Sequence, residues 1–386
     1  MDKYIMKKNL LLLVWVCLCA GAQAQVDMQA PMGSDEAKEA YNTYVNKQSA
    51  YYQYPKRLHK EAADTLFGSL NEIMGNTCML SASSYDYNKL RQAYAGVDKD
   101  LNTPGNIIGF YDGSSFSGTW DNGTTWNREH VWPQAKGESK DGCMGYDMQS
   151  VRPALVDQNS DRGSTAYGES DRYFDPGAMY RGDAARIILY DYVVYGKMGD
   201  HQNNYYNGKA QLLNKFSTGG VFESLKVLLK WHMRDPVSLT EMVRNDGAQD
   251  YQGNRNPFID YPEIAINLFK YTSGLQLYTV TITNVTLSPA YKLTMSDGFV
   301  GYLNDAEGHP AAEDVQISGA SYTYDAQSGR LDVYQVTGPL SVALRTSEGT
   351  DNINVPVQTE KVMENGQIFI LRGDKKYTIC GLEVAQ

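Results

Sequence analysis

The sequence predicts an α+β protein: a mainly helical domain followed by a small antiparallel β module. Three observations predict it. Apolar residues recur at intervals of three and four over much of the first two thirds, as on a buried helix face. One short apolar run, Ile107-Ile108-Gly109-Phe110-Tyr111, stops at Asp112-Gly113 and reads as a buried strand inside that helical part. After Lys270 the period changes to two, the alternation of half-buried strands.

Taken in order, residues 1–24 read as a secretory signal. Lys3, Lys7 and Lys8 precede the apolar run Leu10 to Cys19, and Ala22-Gln23-Ala24 offers a small-x-small cleavage site. That run is too short for a membrane span, which needs about 20 residues. The mature chain is expected to start at Gln25 and to be secreted or periplasmic, with cell-surface attachment as a further option. Ala37, Ala40, Tyr41 and Tyr44, then Leu58, Ala62, Leu66 and Leu70, carry the helical spacing. Another helix starts in Ser84-Tyr85-Asp86-Tyr87, where serine or aspartate serves as its cap. Pro153 suits a first helical turn. A helix running from Ala154 would then set Leu155, Asn159 and Arg162 on one face. Tyr180 to Ile188 opens a long helix. His232, in Leu228-Leu229-Lys230-Trp231-His232, reads as a helix-packing residue. Thr279 to Thr283, Tyr322 to Tyr324 and Leu340 to Leu344 alternate like strands between Gly and Asp turns. The module spans 273–349, and 350–386 reads as a C-terminal β-hairpin tail.

The chemistry concentrates in Trp126-Asn127-Arg128-Glu129-His130-Val131-Trp132-Pro133. A carboxylate oxygen holds hard cations, and an imidazole with an ordinary pKa near ~6.5 takes a proton at neutral pH. Neighbouring side chains on a strand point to opposite faces, so Glu129 and His130 serve one site only where the strand ends or bends. Pro133 is consistent with such an ending. No CxxC, Cys/His cluster or HExxH spacing suggests zinc.

This block resembles the Asn-Arg-Glu-His-x-Trp-Pro signature of the secreted endonuclease I family, the ββα-metal (His-Me finger) nucleases. Downstream segments fit in the same order: Tyr146 to Leu155 with Asp157 to Arg162, Tyr180 to Ile188, Leu228 to Val237, and Tyr251 to Asp260. Gln149 stands where many relatives carry histidine, and Gly163-Ser164 replaces Ser-Asn. The resemblance implies a nuclease domain over 25–272 with its ββα-metal core at about 105–165. It implies Glu129 and Asn159 as metal ligands, for Mg2+ with Ca2+ or Mn2+ as substitutes. His130 is the expected general base and Arg162 the expected transition-state cation. Arg128, Lys136, Gln149, Asn254 and Arg255 are expected on the substrate. The implied reaction is sequence-non-specific cleavage of DNA, and of RNA too, leaving 5′-phosphate ends, with no obligate protein partner. The other reading is a catalytically silent surface or nucleic-acid-binding protein on the same fold; intact Glu129, His130 and Asn159 argue against it. Cys78 and Cys143 both fall in the nuclease-like part and either pair or stay free thiols with Cys380. The net charge of −10 argues against tight coating of nucleic acid, and suits an enzyme that releases its product.

Overall fold

The computed structural model describes residues 34–52, 58, 63–75, 87–136, 143–195, 220–272, 274–306 and 308–345, and four strands within 359–384. The expected signal, Cys78 and the Cys143 side chain lie outside the described residues. The chain forms two compact units, Met1–Leu344 and Arg345–Gln386. No helix among the described residues is long and apolar enough to cross a membrane.

The fold is α+β, as expected. Helix α1 (Asp35–Tyr51) is capped by Ser34, which accepts from the Ala37 N–H. Helices α2 (Ala63–Gly75) and α3 (Tyr87–Val97) follow, with Leu58 buried before α2. The centre of the helical part is α5 (Arg181–Tyr195), buried from Gly182 to Tyr195. A helix apolar or paired on every side belongs inside. Its Arg186 is therefore held by Glu241 at 2.5 and 2.8 Å. Around it stand α6 (Leu225–Arg234), α7 (Leu239–Gln252), and the short α8 (Pro257–Asp260) and α9 (Ala265–Leu268). Helix α7 begins in a Ser238/Glu241 capping box and ends at Gly253, whose φ of +86° only glycine adopts cheaply.

Strand β1 (Asn106–Ile108) pairs with β2 (Ser115–Ser117), so the expected apolar strand is short and turns at Gly109. Strand β3 (Trp126–His130) pairs antiparallel with β4 (Val151–Leu155), and α4 (Val156–Arg162) leaves β4 directly. This corrects the helix expected from Ala154: Pro153 and Ala154 are strand residues. Pro153 is tolerated because its carbonyl turns away from β3 to take the Phe110 N–H at 2.8 Å, so its missing N–H costs no β3–β4 bond. A separate apolar cluster, including Leu90, Tyr94, Ile107, Trp126, Met148, Val151 and Ala248, sits behind this pair and fixes it against α3 and α7.

The β module holds two four-stranded sheets, β10-β11-β8-β6 and β7-β5-β12-β9. These strands are β5 (Tyr278–Thr283), β6 (Thr286–Ser288), β7 (Leu293–Thr294), β8 (Phe299–Asn304), β9 (Val315–Ser318), β10 (Ser321–Asp325), β11 (Arg330–Tyr334) and β12 (Leu340–Leu344). All pairings are antiparallel except β12 against β5, which is parallel. Arg234 of α6 reaches the module, donating to the Val333 carbonyl at 2.7 Å and pairing with Asp332 at 2.9 Å. The second unit is an antiparallel sheet of β13 (Thr359–Glu364), β14 (Gln367–Arg372), β15 (Lys375–Thr378) and β16 (Glu383–Val384), two strands more than a hairpin.

Candidate active site

The β3–β4–α4 unit gathers the motif. Strand alternation sends Asn127 and Glu129 to one face, and helix α4 lays Asn159 and Arg162 along it. The two spacings match. Asn159 Nδ2 donates to Asn127 Oδ1 at 2.6 Å, and Arg162 Nη1 lies 3.5 Å from Glu129 Oε1. His130 is the last residue of β3, so the condition that the strand end at the Glu-His pair is met.

Glu129 is buried, and Tyr111 donates its hydroxyl to Oε1 at 2.6 Å; the Tyr111 and Tyr167 hydroxyls are themselves 2.6 Å apart. Burial raises the Glu129 pKa above the ordinary carboxylate range, against the pull of Arg162, the Tyr111 bond and His130. His130 is also buried, and its ring stacks on Tyr87 at 5.2 Å with an interplanar angle of 26°. Loss of solvent is the largest influence and lowers its pKa to about 4; Glu129 opposes this, while Arg128 and Arg162 reinforce it. The imidazole is therefore neutral at neutral pH. The Gln134 carboxamide lies 2.8 Å from His130 Nε2.

The donor set suits a hard cation. Tyr111 and Arg162 both engage Oε1 of Glu129, and Asn159 spends its Nδ2 on Asn127 and, at 3.4 Å, on the Arg128 carbonyl. None of these bonds uses carboxylate Oε2 or amide Oδ1, both hard oxygens of the kind a hard cation takes. Among the described residues no group of three or more His, Cys, Asp or Glu is assembled. A cation held by these two oxygens keeps most of its positions for water and phosphate, as Mg2+ prefers.

The other expected residues divide. Arg128 and Lys136 stay half-buried beside the motif; Arg128 Nη1 donates to the Tyr87 carbonyl at 2.6 Å and Lys136 Nζ to the Gly220 carbonyl at 2.9 Å. Arg162 is 1% exposed and its guanidinium faces inward, donating to the carbonyls of His130 (3.3 Å), Val131 (2.7 Å) and Gly163 (3.0 Å). It buttresses the motif rather than facing solvent. Gln149, Asn254 and Arg255, expected on the substrate, lie in the interior with protein partners. Gln149 donates to Asn245, Asn254 donates to the Tyr190 hydroxyl, and Arg255 is locked by Asp260 and Asp246 at 2.7 to 2.9 Å. His232 is a packing residue as expected, buried with Nε2 2.7 Å from the Pro262 carbonyl.

Sequence reasoning missed Tyr111, Tyr167, Asn127, Gln134 and Tyr87. Asn127 was within reach, since it lies two residues before Glu129 and strand alternation puts both on one face. The tyrosines carry no local signal. They meet the motif only through tertiary packing.

The family model described as Endonuclease I matches residues 64–173 and 169–263. The extracellular ribonuclease of Bacillus amyloliquefaciens is 33% identical over 231 residues, which cover 55% of this chain and 76% of that protein. The extracellular ribonuclease of Bacillus subtilis (strain 168) is 34% identical over 227 residues, 53% of this chain and 74% of that protein.

Proposed function

This chain belongs to the endonuclease I family and is a nuclease, a hydrolase of phosphodiester bonds, and we propose that it is a secreted, Mg2+-dependent enzyme cutting RNA and DNA without sequence preference. The observation that carries the reading is α4 packed on β3, with Asn159 bonded to Asn127 and Arg162 beside Glu129, next to His130 at the strand end. Export is supported by the two extracellular relatives and by the signal-like residues 1–24. The relatives' name supports RNA as a substrate, and the resemblance carried by the motif is the ground for proposing DNA as well.

In the proposed mechanism His130, neutral because it is buried, takes a proton from the water that attacks phosphorus. The Gln134 amide nitrogen donates to His130 Nε2 at 2.8 Å, which sets the tautomer with the proton on Nδ1 and makes Nε2 the basic nitrogen. Glu129 Oε2 and Asn159 Oδ1 would hold the cation, which supplies charge stabilisation at the phosphoryl and departing 3′ oxygens. Tyr111 and Arg162 hold Glu129 in place, and Asn127 orients Asn159. Arg128 and Lys136 are the motif's outward cations and meet the phosphate. Contacts of this kind carry no sequence information, in keeping with a non-specific enzyme.

The test is digestion of plasmid DNA and total RNA by purified residues 25–386, with Mg2+ and with EDTA, beside His130→Ala. Cleavage that stops in EDTA and drops by orders of magnitude in the variant supports the reading. Cleavage that persists in EDTA, or in His130→Ala, would falsify it.

A further inference from the structure

A row of stacked groups leads away from His130. Its ring lies on Tyr87, the Arg128 guanidinium sits 3.6 Å from the Tyr87 ring centroid and 5.3 Å from that of Trp120, and Arg91 lies 5.3 Å from the Trp120 centroid. Three elements build the row. Tyr87 and Arg91 are one helical turn apart on α3, Arg128 belongs to β3, and Trp120 comes from the loop between β2 and β3. Trp120 is braced edge-on by buried Trp126 at 5.0 Å, so the row has a rigid floor.

All four residues beyond His130 are half-exposed. Neither Arg91 nor Arg128 takes part in any ion pair among the described residues, whereas interior Arg152, Arg186, Arg244 and Arg255 all do. In a chain with a net charge of −10, these two arginines sit together with no carboxylate paired to either among the described residues. A guanidinium stacked on an aromatic face gives up little rotamer freedom later and keeps its N–H edge for phosphate. Aromatic faces between such cations take unstacked bases of any identity.

We infer that the row Arg91, Trp120, Arg128 and Tyr87 is the track for an unpaired nucleic-acid strand on one side of the scissile phosphate, with backbone phosphates on the two guanidinium edges and a base against Trp120. The inference rests on the nuclease reading of the site and deepens it. The track favours single strands over duplex, because a paired base cannot turn out to meet Trp120.

The experiment compares the wild-type chain with Arg91→Gln, Trp120→Leu and, as a control of equal charge change, Lys38→Gln on an exposed turn of α1. Steady-state cleavage of a single-stranded and a duplex oligonucleotide is followed across a salt series. For Arg91→Gln, KM for the single strand should rise several-fold with kcat unchanged. Its salt slope should fall by about one, as for the loss of one phosphate contact, while Lys38→Gln keeps the wild-type slope. Trp120→Leu should weaken single-strand cleavage more than duplex cleavage. An Arg91→Gln enzyme with the wild-type KM and salt slope overturns the track. This holds even if Trp120→Leu disturbs folding through Trp126. Binding of a labelled single strand in EDTA, wild type against Arg91→Gln, reads the same contact without turnover. Absence of all cleavage with binding still lost in Arg91→Gln would retire the catalytic mechanism and leave the track standing.

Discussion

Tyr111 delivers its hydroxyl to Glu129 Oε1 at 2.6 Å from a backbone φ of +86°. Few bulky residues adopt that conformation, because Cβ crowds the backbone. Here its ring packs against two others, Phe110 at 4.4 Å and Phe174 at 5.0 Å between ring centroids. A strained residue whose hydroxyl reaches the carboxylate proposed to hold the cation fits a positioning role. Tyr111→Phe should fold normally and lose metal affinity by about 10- to 100-fold, read as the Mn2+ dissociation constant by calorimetry. Unchanged affinity would show that Glu129 needs no such brace.

Arg162 should behave as a buttress rather than a phosphate ligand. Arg162→Lys cannot fork across three carbonyls and Glu129 at once, so the chain should lose about 2 kcal/mol of stability in urea unfolding. kcat should fall with KM nearly constant. A raised KM at unchanged stability would put Arg162 on the substrate after all.

Arg255 makes the opposite kind of test, since it lies far into the core. Arg255→Met leaves Asp260 buried without its cation, a loss of about 3–5 kcal/mol. KM in the folded fraction should stay at the wild-type value. If stability holds and KM climbs, the interior assignment is mistaken.

His232 predicts a pH effect on stability. Burial lowers its pKa from 6.5 to about 3, with Arg186 acting in the same direction. Below pH 6.5 the unfolded chain binds a proton that the native ring refuses. Its contribution is thus complete above pH 6.5 and drains away as pH falls toward 3, on the order of 5 kcal/mol in all. Asp235 and Glu263, raised by burial to about 6 and about 7, act in the opposite sense, so the comparison must be made by difference. His232→Gln keeps a donor for the Pro262 carbonyl and should flatten the acid limb of the stability curve relative to wild type. Parallel curves for the two proteins between pH 7 and 4 would contradict this.

The sequence by itself determined the fold class, the strand carrying Glu129 and His130, and the requirement that this strand end there. These are local properties: periodicity, a proline, and a run of residue types whose chemistry is legible without coordinates. The boundary at Pro153 was not legible, because helix N-terminus and edge strand both tolerate a residue without an N–H, and only the Phe110 contact on the far edge decides. Nor was the fate of the arginines. Arg91 and Arg128 lie half-exposed on aromatic rings while Arg162 and Arg255 are sealed inside, yet nothing in the flanking residues separates them. A charge is allowed into the core only where distant acids and carbonyls meet it. Those partners, Asp260 and Asp246 for Arg255 and the His130 and Val131 carbonyls for Arg162, arrive only when the chain has folded.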